Sequence, residues 1–218
     1  MKKNNILNGL YPITTSQYKS DLDFINITKD LINSDIKIIQ FRPSNLSFKR
    51  RKYLIKSIHR ECMDRDVKFI LNNNYELLKY VDGAGLHIGS NDINLIEARK
   101  YLGKKIIIGV SCYNSIDKAI WAEKNGADYV SFGSIYHSNT KKNATTCSLD
   151  TLYNAKEKIK IPICAIGGIN CYNIIEVMKK NPSMIAMISN IYDSLNPKLE
   201  LNHIFEIMKY YEKIKSSI

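Results

Sequence analysis

The chain has 218 residues, 44% hydrophobic and 24% charged, a composition that excludes disordered, collagen-like and coiled-coil proteins. Its 32 lysines and arginines exceed its 21 acidic residues to give a net charge of +11, which is compatible with a nucleic acid or a phosphorylated metabolite as partner. No apolar run approaches the roughly 20 residues of a membrane-spanning helix, and the basic start leads into no apolar stretch of signal-peptide type. We therefore expect a cytoplasmic protein that does not enter a membrane.

Short apolar runs alternate with amphipathic stretches along the chain, a pattern typical of strands that are each followed by a helix. The predicted strands are 10–14, 36–41, 68–72, 85–88, 106–111, 129–132, 162–167 and 185–188. The predicted helices are 22–33, 47–64, a short one at 75–80, 94–102, 115–125, 149–158, 173–180 and 198–213.

The predicted strands are continuously apolar rather than alternating, as the sequence Ile-Ile-Ile-Gly-Val at 106–110 illustrates. Such strands are typical of a parallel sheet with both faces covered by helices. Eight strand-helix units in about 200 residues predict an α/β fold, a closed (β/α)8 barrel. We expect residues 1–218 to form this barrel as a single domain, with a doubly wound open sheet as the alternative.

Polar residues or glycines end seven of the eight predicted strands. In a (β/α)8 barrel the carboxyl ends of the strands and the loops after them carry the chemistry. The segments at these ends are Gln40-Phe41-Arg42-Pro43-Ser44, Asn72-Asn73-Asn74, His87-Ile88-Gly89-Ser90-Asn91-Asp92, Gly109-Val110-Ser111, residues 133–141, Ala165-Ile166-Gly167-Gly168-Ile169 and Met187-Ile188-Ser189-Asn190. The sequence therefore predicts one polar site at the mouth of the barrel.

The loops after strands seven and eight are candidates for a phosphate site. Gly167-Gly168 lets the backbone approach an anion, and Ser189 follows the eighth strand at the start of a helix, where free N–H groups bind phosphate. Hydroxyls and a cation in Ser138-x-Thr140-Lys141 suit a second phosphate or the other side of the same one. A glycine turn and an ordinary polar loop are the simpler interpretations of these two segments.

Asp92 together with Asn73 suggests a site for Mg²⁺, which takes oxygen ligands and commonly combines carboxylates with substrate phosphates. The alternative for Asp92 is an N-cap of the helix predicted at 94–102. We expect His87 and His137 to be packed or surface residues, and no Ser-His-Asp or Cys-His arrangement stands out. The five cysteines are an odd number without a Cys-x-x-Cys pair, which indicates buried thiols rather than disulfides or a zinc site.

The densest basic cluster, Lys49-Arg50-Arg51-Lys52, lies in a segment with apolar residues at helical spacing. A solvated helix face is the simpler interpretation of such a cluster. A nucleic-acid partner therefore stays a minor hypothesis.

Taken together, these motifs resemble the thiamine phosphate synthase family and its close relatives, the thiazole tautomerases. The resemblance covers residues 9–190 and is carried by the order and spacing of several motifs. They are Gly9-Leu10-Tyr11, Gln40-x-Arg42, Gly85-Leu86-His87-Ile88-Gly89 with Asp92, Gly109-Val110-Ser111, Gly126-Ala127-Asp128-Tyr129-Val130, Ser138-Asn139-Thr140-Lys141, Ala165-Ile166-Gly167-Gly168-Ile169 and Ile188-Ser189-Asn190.

The resemblance implies a transferase that joins a pyrimidine-methyl pyrophosphate to a thiazole phosphate and releases pyrophosphate. It implies that Gln40 contacts the pyrimidine, that Asn73 and Asp92 stand where the family holds Mg²⁺, and that the partners are small phosphorylated molecules. The residues that it implies for pyrophosphate binding are Arg42, Asn72, Ser111 and Lys141, of which Arg42, Ser111 and Lys141 are catalytic. Those that it implies for thiazole phosphate binding are Ser138, Thr140, Gly168, Ile188 and Ser189. Family members often form homo-oligomers, but no interface is evident in the sequence.

Two positions depart from the family pattern. Ser44 replaces a lysine that follows the arginine by two residues, and Asn73 replaces the first metal-binding aspartate. Both changes weaken the pyrophosphate–metal site, which leaves open a non-catalytic relative that binds phosphate ligands. A tautomerase needs an acid–base group just after the strand-five serine, where this chain has Cys112-Tyr113 in place of the family's histidine.

Overall fold

The structure is a computed structural model that describes residues 6–90, 92–137 and 145–217. Its strands are β1 (Gly9–Pro12), β2 (Ile38–Phe41), β3 (Lys68–Asn72), β4 (Gly85–Ile88), β5 (Ile108–Tyr113), β6 (Tyr129–Phe132), β7 (Ile163–Ile166) and β8 (Met184–Met187). They form one parallel sheet in the order β1-β8-β7-β6-β5-β4-β3-β2. Strands β1 and β2, at the two ends of this order, are joined by a parallel bridge between Ile13 and Gln40. The Thr14 N–H also donates to the Gln40 carbonyl over 2.9 Å.

The described helices are α1 (Asp21–Ile32), α2 (Phe48–Asp64), α3 (Leu95–Leu102), α4 (Ile116–Lys124), α5 (Leu149–Lys158), α6 (Ile174–Lys179), α7 (Ser189–Tyr192) and α8 (Pro197–Lys215), with a 3₁₀ helix at Tyr75–Tyr80 after β3. Most begin at a serine or asparagine whose side chain accepts a hydrogen bond from the first turn, such as Ser47 at α2. No helix in the described ranges is long and apolar enough to cross a membrane.

The core has two parts, because successive side chains of a strand point to opposite faces. Outward residues pack against the helices, as Ile39 and Phe41 of β2 do. A smaller inner cluster fills the barrel with Ile38, Ile70, Ile107, Met184 and neighbours. Ile38 and Met184 of this cluster are the first residues of their strands, so the inner cluster fills the amino-terminal end of the barrel.

The (β/α)8 barrel predicted from the sequence is confirmed, and the doubly wound alternative is wrong because β1 and β8 are hydrogen-bonded neighbours. Strand β5 starts two residues later than predicted and runs on to Tyr113, with an irregular register between Ser111 and Tyr113. Helix α7 was not predicted, since four residues carry no readable helical period. Four cysteines are buried and Cys171 is partly exposed, all as free thiols.

Candidate active site

A cavity of about 580 Å³ opens at the carboxyl ends of the strands. Its walls come from the inward positions of the strands, so that residues far apart in the chain meet there. Among the predicted residues it is lined by Gln40, Arg42, Asn72, Asn73, Asp92, Ser111 and Ile188. A wider outer cavity of about 1140 Å³ lies between the loops and is lined by Arg42, Asn72, Asn73, Gly168, Ile188 and Ser189 among others.

A chain of hydrogen bonds crosses the floor of the inner cavity. The Gln40 amide donates to the Tyr11 hydroxyl over 2.9 Å, and the Tyr11 and Tyr129 hydroxyls lie 3.0 Å apart. His87 continues the chain, with Nδ1 2.9 Å from the Tyr129 hydroxyl and Nε2 2.9 Å from the Ser111 hydroxyl. Five strands thus contribute one polar side chain each.

The Gln40 amide nitrogen can only donate, so the Tyr11 hydroxyl accepts the first hydrogen bond of this chain. If Tyr11 then donates to Tyr129, and Tyr129 to His87 Nδ1, the imidazole is neutral and its Nε2–H donates to Ser111. Burial raises the pKa of both the Tyr11 and the Tyr129 hydroxyl above the ordinary 10.0, which keeps their protons in place. The Ser111 hydroxyl proton is then free to bond a ligand in the cavity.

Close packing holds Tyr129 in this position. A β-carbon at Gly109 on the neighbouring strand β5 would overlap the Tyr129 ring, so a glycine is needed there. The Tyr129 ring also stacks on the His87 imidazole at a centroid distance of 5.5 Å. These contacts fix the imidazole and, through it, the Ser111 hydroxyl.

Arg42 stands where the inner and outer cavities meet and lines both. Its backbone N–H donates to the Thr14 hydroxyl over 2.9 Å, while no described residue accepts a hydrogen bond from its guanidinium. Burial lowers the pKa of this guanidinium from the ordinary 12.5. A partly buried cation without an acidic partner in the described ranges suits an anionic ligand.

Side-chain oxygens of Asp92 and Asn73 both lie near Gly89. A β-carbon built there would be 3.1 Å from Asp92 Oδ2 and 3.9 Å from Asn73 Oδ1. Asp92 also accepts a 2.6 Å hydrogen bond from the Gly89 N–H, and Asn73 has a left-handed backbone with φ 68°. The alternative that Asp92 caps helix α3 is wrong, because Asn94 is the residue that caps it.

The phosphate site predicted after β7 and β8 lies on the outer cavity. Gly168 has a φ of 62°, and a β-carbon at this position would collide with the His137 carbonyl. Ser189 begins helix α7, and within the described ranges no acceptor faces the backbone N–H of either Gly168 or Ser189. Two N–H groups are therefore free to bind an anion.

Ser138, Thr140 and Lys141 lie outside the described residues. The chain on either side of them reaches the site, since His137 lines the outer cavity and Thr145 lines the inner one. The Thr145 carbonyl also accepts a 2.9 Å hydrogen bond from the Ser134 N–H.

Four functional candidates are new relative to the sequence prediction. Tyr11 and His87 line the inner cavity and the Tyr129 hydroxyl bridges them, although His87 was expected to be a packed or surface residue. Arg51 was assigned to a solvated helix face, but it lines the outer cavity with Ser44 and Asn74.

The structure weighs against the tautomerase alternative at Cys112. This side chain is buried against the helices, and burial raises the pKa of its thiol to about 12. Tyr113 lines the cavity with a left-handed backbone at φ 59°, so Tyr113 is the acid–base candidate of that pair that reaches a ligand.

One group of potentially metal-ligating side chains in the described ranges lies apart from the mouth of the barrel. Donor atoms of Cys171, Glu200 and His203 are all within 4.8 Å of one another on the surface near helix α8. The Asn190 amide donates to Glu200 over 2.8 Å, so that one of the three groups already has a protein partner.

The barrel and the polar cavity at its carboxyl end define a (β/α)8-barrel enzyme. The family model described as thiamine monophosphate synthase matches residues 10–191. The chain belongs to this family.

Individual relatives are similar to this chain over most of their length. A thiamine-phosphate synthase of Clostridioides difficile is 38% identical over 184 residues, covering 84% of this chain and 86% of that protein. One from Thioalkalivibrio sulfidiphilus is 32% identical over 198 residues, covering 91% and 94%. The solved structure of a thiamine phosphate pyrophosphorylase from Pyrococcus furiosus superimposes with a TM-score of 0.85 at 28% identity, covering 95% of this chain and 98% of that chain.

Proposed function

We propose that the protein is a thiamine-phosphate synthase, a transferase that condenses hydroxymethylpyrimidine pyrophosphate with hydroxyethylthiazole phosphate. The carbon–oxygen bond between the pyrimidine methylene and the pyrophosphate breaks, and the electron pair leaves with pyrophosphate. The lone pair of the thiazole nitrogen then forms the new carbon–nitrogen bond. The products are thiamine phosphate and pyrophosphate.

The observation that carries this proposal is the junction of the two cavities at Arg42, Asn72 and Asn73, which line both. The inner cavity has a floor of aromatic and amide groups suited to a flat heterocycle with polar edges. The outer one holds the cation and free N–H groups suited to phosphates. A pyrimidine inside with its pyrophosphate outside places the breaking bond at the junction.

The roles of the protein follow from a dissociative reaction. Gln40 donates or accepts at the pyrimidine edge, and Arg42, Asn72 and Ser111 stabilise charge on the departing pyrophosphate. Lys141 would add a second cation from the loop after β6. Gly168 and Ser189 bind the thiazole phosphate through backbone N–H groups and Ile188 packs beside it, with Ser138 and Thr140 as further donors. Holding both rings in one cavity contributes by orientation.

Asp92 and Asn73 would hold Mg²⁺. Their oxygens fit a hard cation, which takes few protein ligands and completes its shell with water and substrate phosphate. When bound, Mg²⁺ would supply positive charge to the pyrophosphate. Because Asn73 is neutral, we propose that the metal binds well only together with the pyrophosphate substrate.

The expectations about partners and location remain with this proposal. The partners are small phosphorylated molecules, and neither nucleic acid nor a membrane is needed for the reaction. A homo-oligomer and the cytoplasmic location expected from the sequence stay predictions.

The test is to incubate the purified protein with both substrates and Mg²⁺ and to measure thiamine phosphate and pyrophosphate in equal amounts. Arg42→Ala should reduce the rate, and exposed Lys209→Ala serves as the matched control. No product at high protein concentration would overturn the proposal. Product only from the double variant Ser44→Lys/Asn73→Asp would instead support a non-catalytic relative that has lost a competent pyrophosphate site.

A further inference from the structure

Two neighbouring arginines in the first turn of helix α2 have different surroundings. Arg50 is exposed, and its guanidinium pairs with the Asp21 carboxylate over 2.7 Å. Arg51 is partly buried and lines the outer cavity together with Arg42 and Ser44. The basic cluster is therefore not one solvated face, and Arg51 is the member of this pair that faces the site.

The position of Arg51 follows from helix geometry. Helix α2 starts near the mouth of the barrel, and helical side chains tilt toward the amino terminus of their helix. Arg51 consequently reaches past the start of α2 to the loop after β3. Its Nη1 donates to Asn74 Oδ1 over 2.6 Å, and its Nη2 donates to the Leu46 carbonyl over 3.3 Å.

These contacts leave the charge of Arg51 uncompensated. Both acceptors are neutral, and no carboxylate in the described ranges forms an ion pair with Arg51. An arginine has five N–H donors, of which the described residues take two, and Nε is buried without a partner. A cation held in this way beside a cavity favours an anionic ligand.

A small residue, Ser44, lines the same cavity as this cation. The Ser44 hydroxyl lies 2.9 Å from the Ser16 hydroxyl, and both serines line the outer cavity with Arg51. Ser44 occupies the position at which the family pattern, as the resemblance implies it, has a lysine. Ser44, which lacks the family's positive charge, and Arg51, which adds one, therefore line the same outer cavity.

We propose that Arg51 binds the pyrophosphate group of the substrate and supplies the positive charge absent at Ser44. The proposal rests on the proposed function, because it names a ligand of that same site. Arg51 and Arg42 then hold the pyrophosphate between them, and Arg51 uses an Nη–H not taken by Asn74 or Leu46.

A purely structural role gives a different expectation. Arg51 also ties down Asn74, whose amide donates to the Asn72 carbonyl over 2.9 Å. If Arg51 only holds this loop, its loss disturbs the fold and the use of both substrates alike. If Arg51 binds pyrophosphate, its loss affects only the ligand that carries that group.

The experiment compares Arg51→Ala with the matched control Arg50→Ala, and measures KM for each substrate, inhibition by inorganic pyrophosphate, and thermal unfolding. We expect Arg51→Ala to raise KM for the pyrimidine pyrophosphate and the inhibition constant of pyrophosphate roughly 10- to 150-fold, the range for a charged hydrogen bond. KM for the thiazole phosphate should stay within twofold, and Arg50→Ala should match the wild type. Adding Ser44→Lys to Arg51→Ala should recover most of the loss.

An inhibition constant for pyrophosphate in Arg51→Ala within twofold of Arg50→Ala would overturn the inference, and so would an equal rise in both KM values. If the wild type makes no thiamine phosphate, the proposed function fails instead. Calorimetric titration of wild type and Arg51→Ala with inorganic pyrophosphate then still decides whether Arg51 binds this anion.

Discussion

Replacing Tyr129 with phenylalanine removes one hydroxyl from the floor of the cavity and leaves the ring in place. That hydroxyl lies 3.0 Å from the Tyr11 hydroxyl and 2.9 Å from His87 Nδ1. Both partners are buried, and Tyr129→Phe takes a hydrogen bond from each. A buried polar group left unsatisfied costs about 1–3 kcal/mol, so we expect the free energy of unfolding to fall by about 2–4 kcal/mol.

The assay is urea unfolding followed by fluorescence or circular dichroism, with Tyr210→Phe on the exposed side of helix α8 as the control. The control should change stability by less than about 0.5 kcal/mol. A double-mutant cycle with Tyr11→Phe should give a loss smaller than the sum of the single losses, since both variants break the same bond. Tyr129→Phe within about 0.5 kcal/mol of the wild type would refute the hydrogen-bonded chain.

Three further predictions concern Gly168 at the outer cavity, the ion pair of Arg99 and the pH dependence of stability. Gly168→Ala should raise KM for the thiazole phosphate at least tenfold, because its left-handed backbone must shift; unchanged steady-state kinetics would contradict this. Arg99→Ala should lower stability by about 3–5 kcal/mol in urea unfolding, since it removes the guanidinium that lies 2.7 Å from the largely buried Asp128 carboxylate; a loss below about 1 kcal/mol would contradict this. Above about pH 10 stability should fall, because the raised pKa values of Tyr11 and Tyr129 keep their hydroxyls protonated in the folded state while the unfolded chain ionises; a pH-independent urea midpoint between pH 9 and about 11 would contradict this.

The barrel could be predicted from the sequence because its signals are local. A buried parallel strand is a short apolar run, and each of the eight runs sits between turn residues and a helical period. The observed strand boundaries differ from the predicted ones by a few residues where local signals conflict. At β5, for example, Ile106 is apolar but the strand begins only at Ile108. Strand ends also placed Arg42, Asn72 and Ser111 at the mouth.

The floor of the cavity could not be predicted in the same way. Tyr11 and Tyr129 are separated by 118 residues, and their contact depends on the register of every strand between them. A tyrosine in an apolar run has an ordinary interpretation as core, and His87 has one as a packed residue. Only the closed barrel shows that these side chains point inward at the same height.

The net charge of the pyrophosphate site changes when the structure is added to the sequence. Ser44 and Asn73, compared with the family pattern, remove one positive and one negative charge. Helical periodicity assigns Arg51 to the outside of the protein, because it carries no information on where the first turn of α2 meets the barrel. Arg51 and Ser44 line the same outer cavity, so the role proposed for Arg51 would restore the cation but not the carboxylate. A site with its cations intact and one carboxylate fewer should hold pyrophosphate more strongly than it holds Mg²⁺ alone.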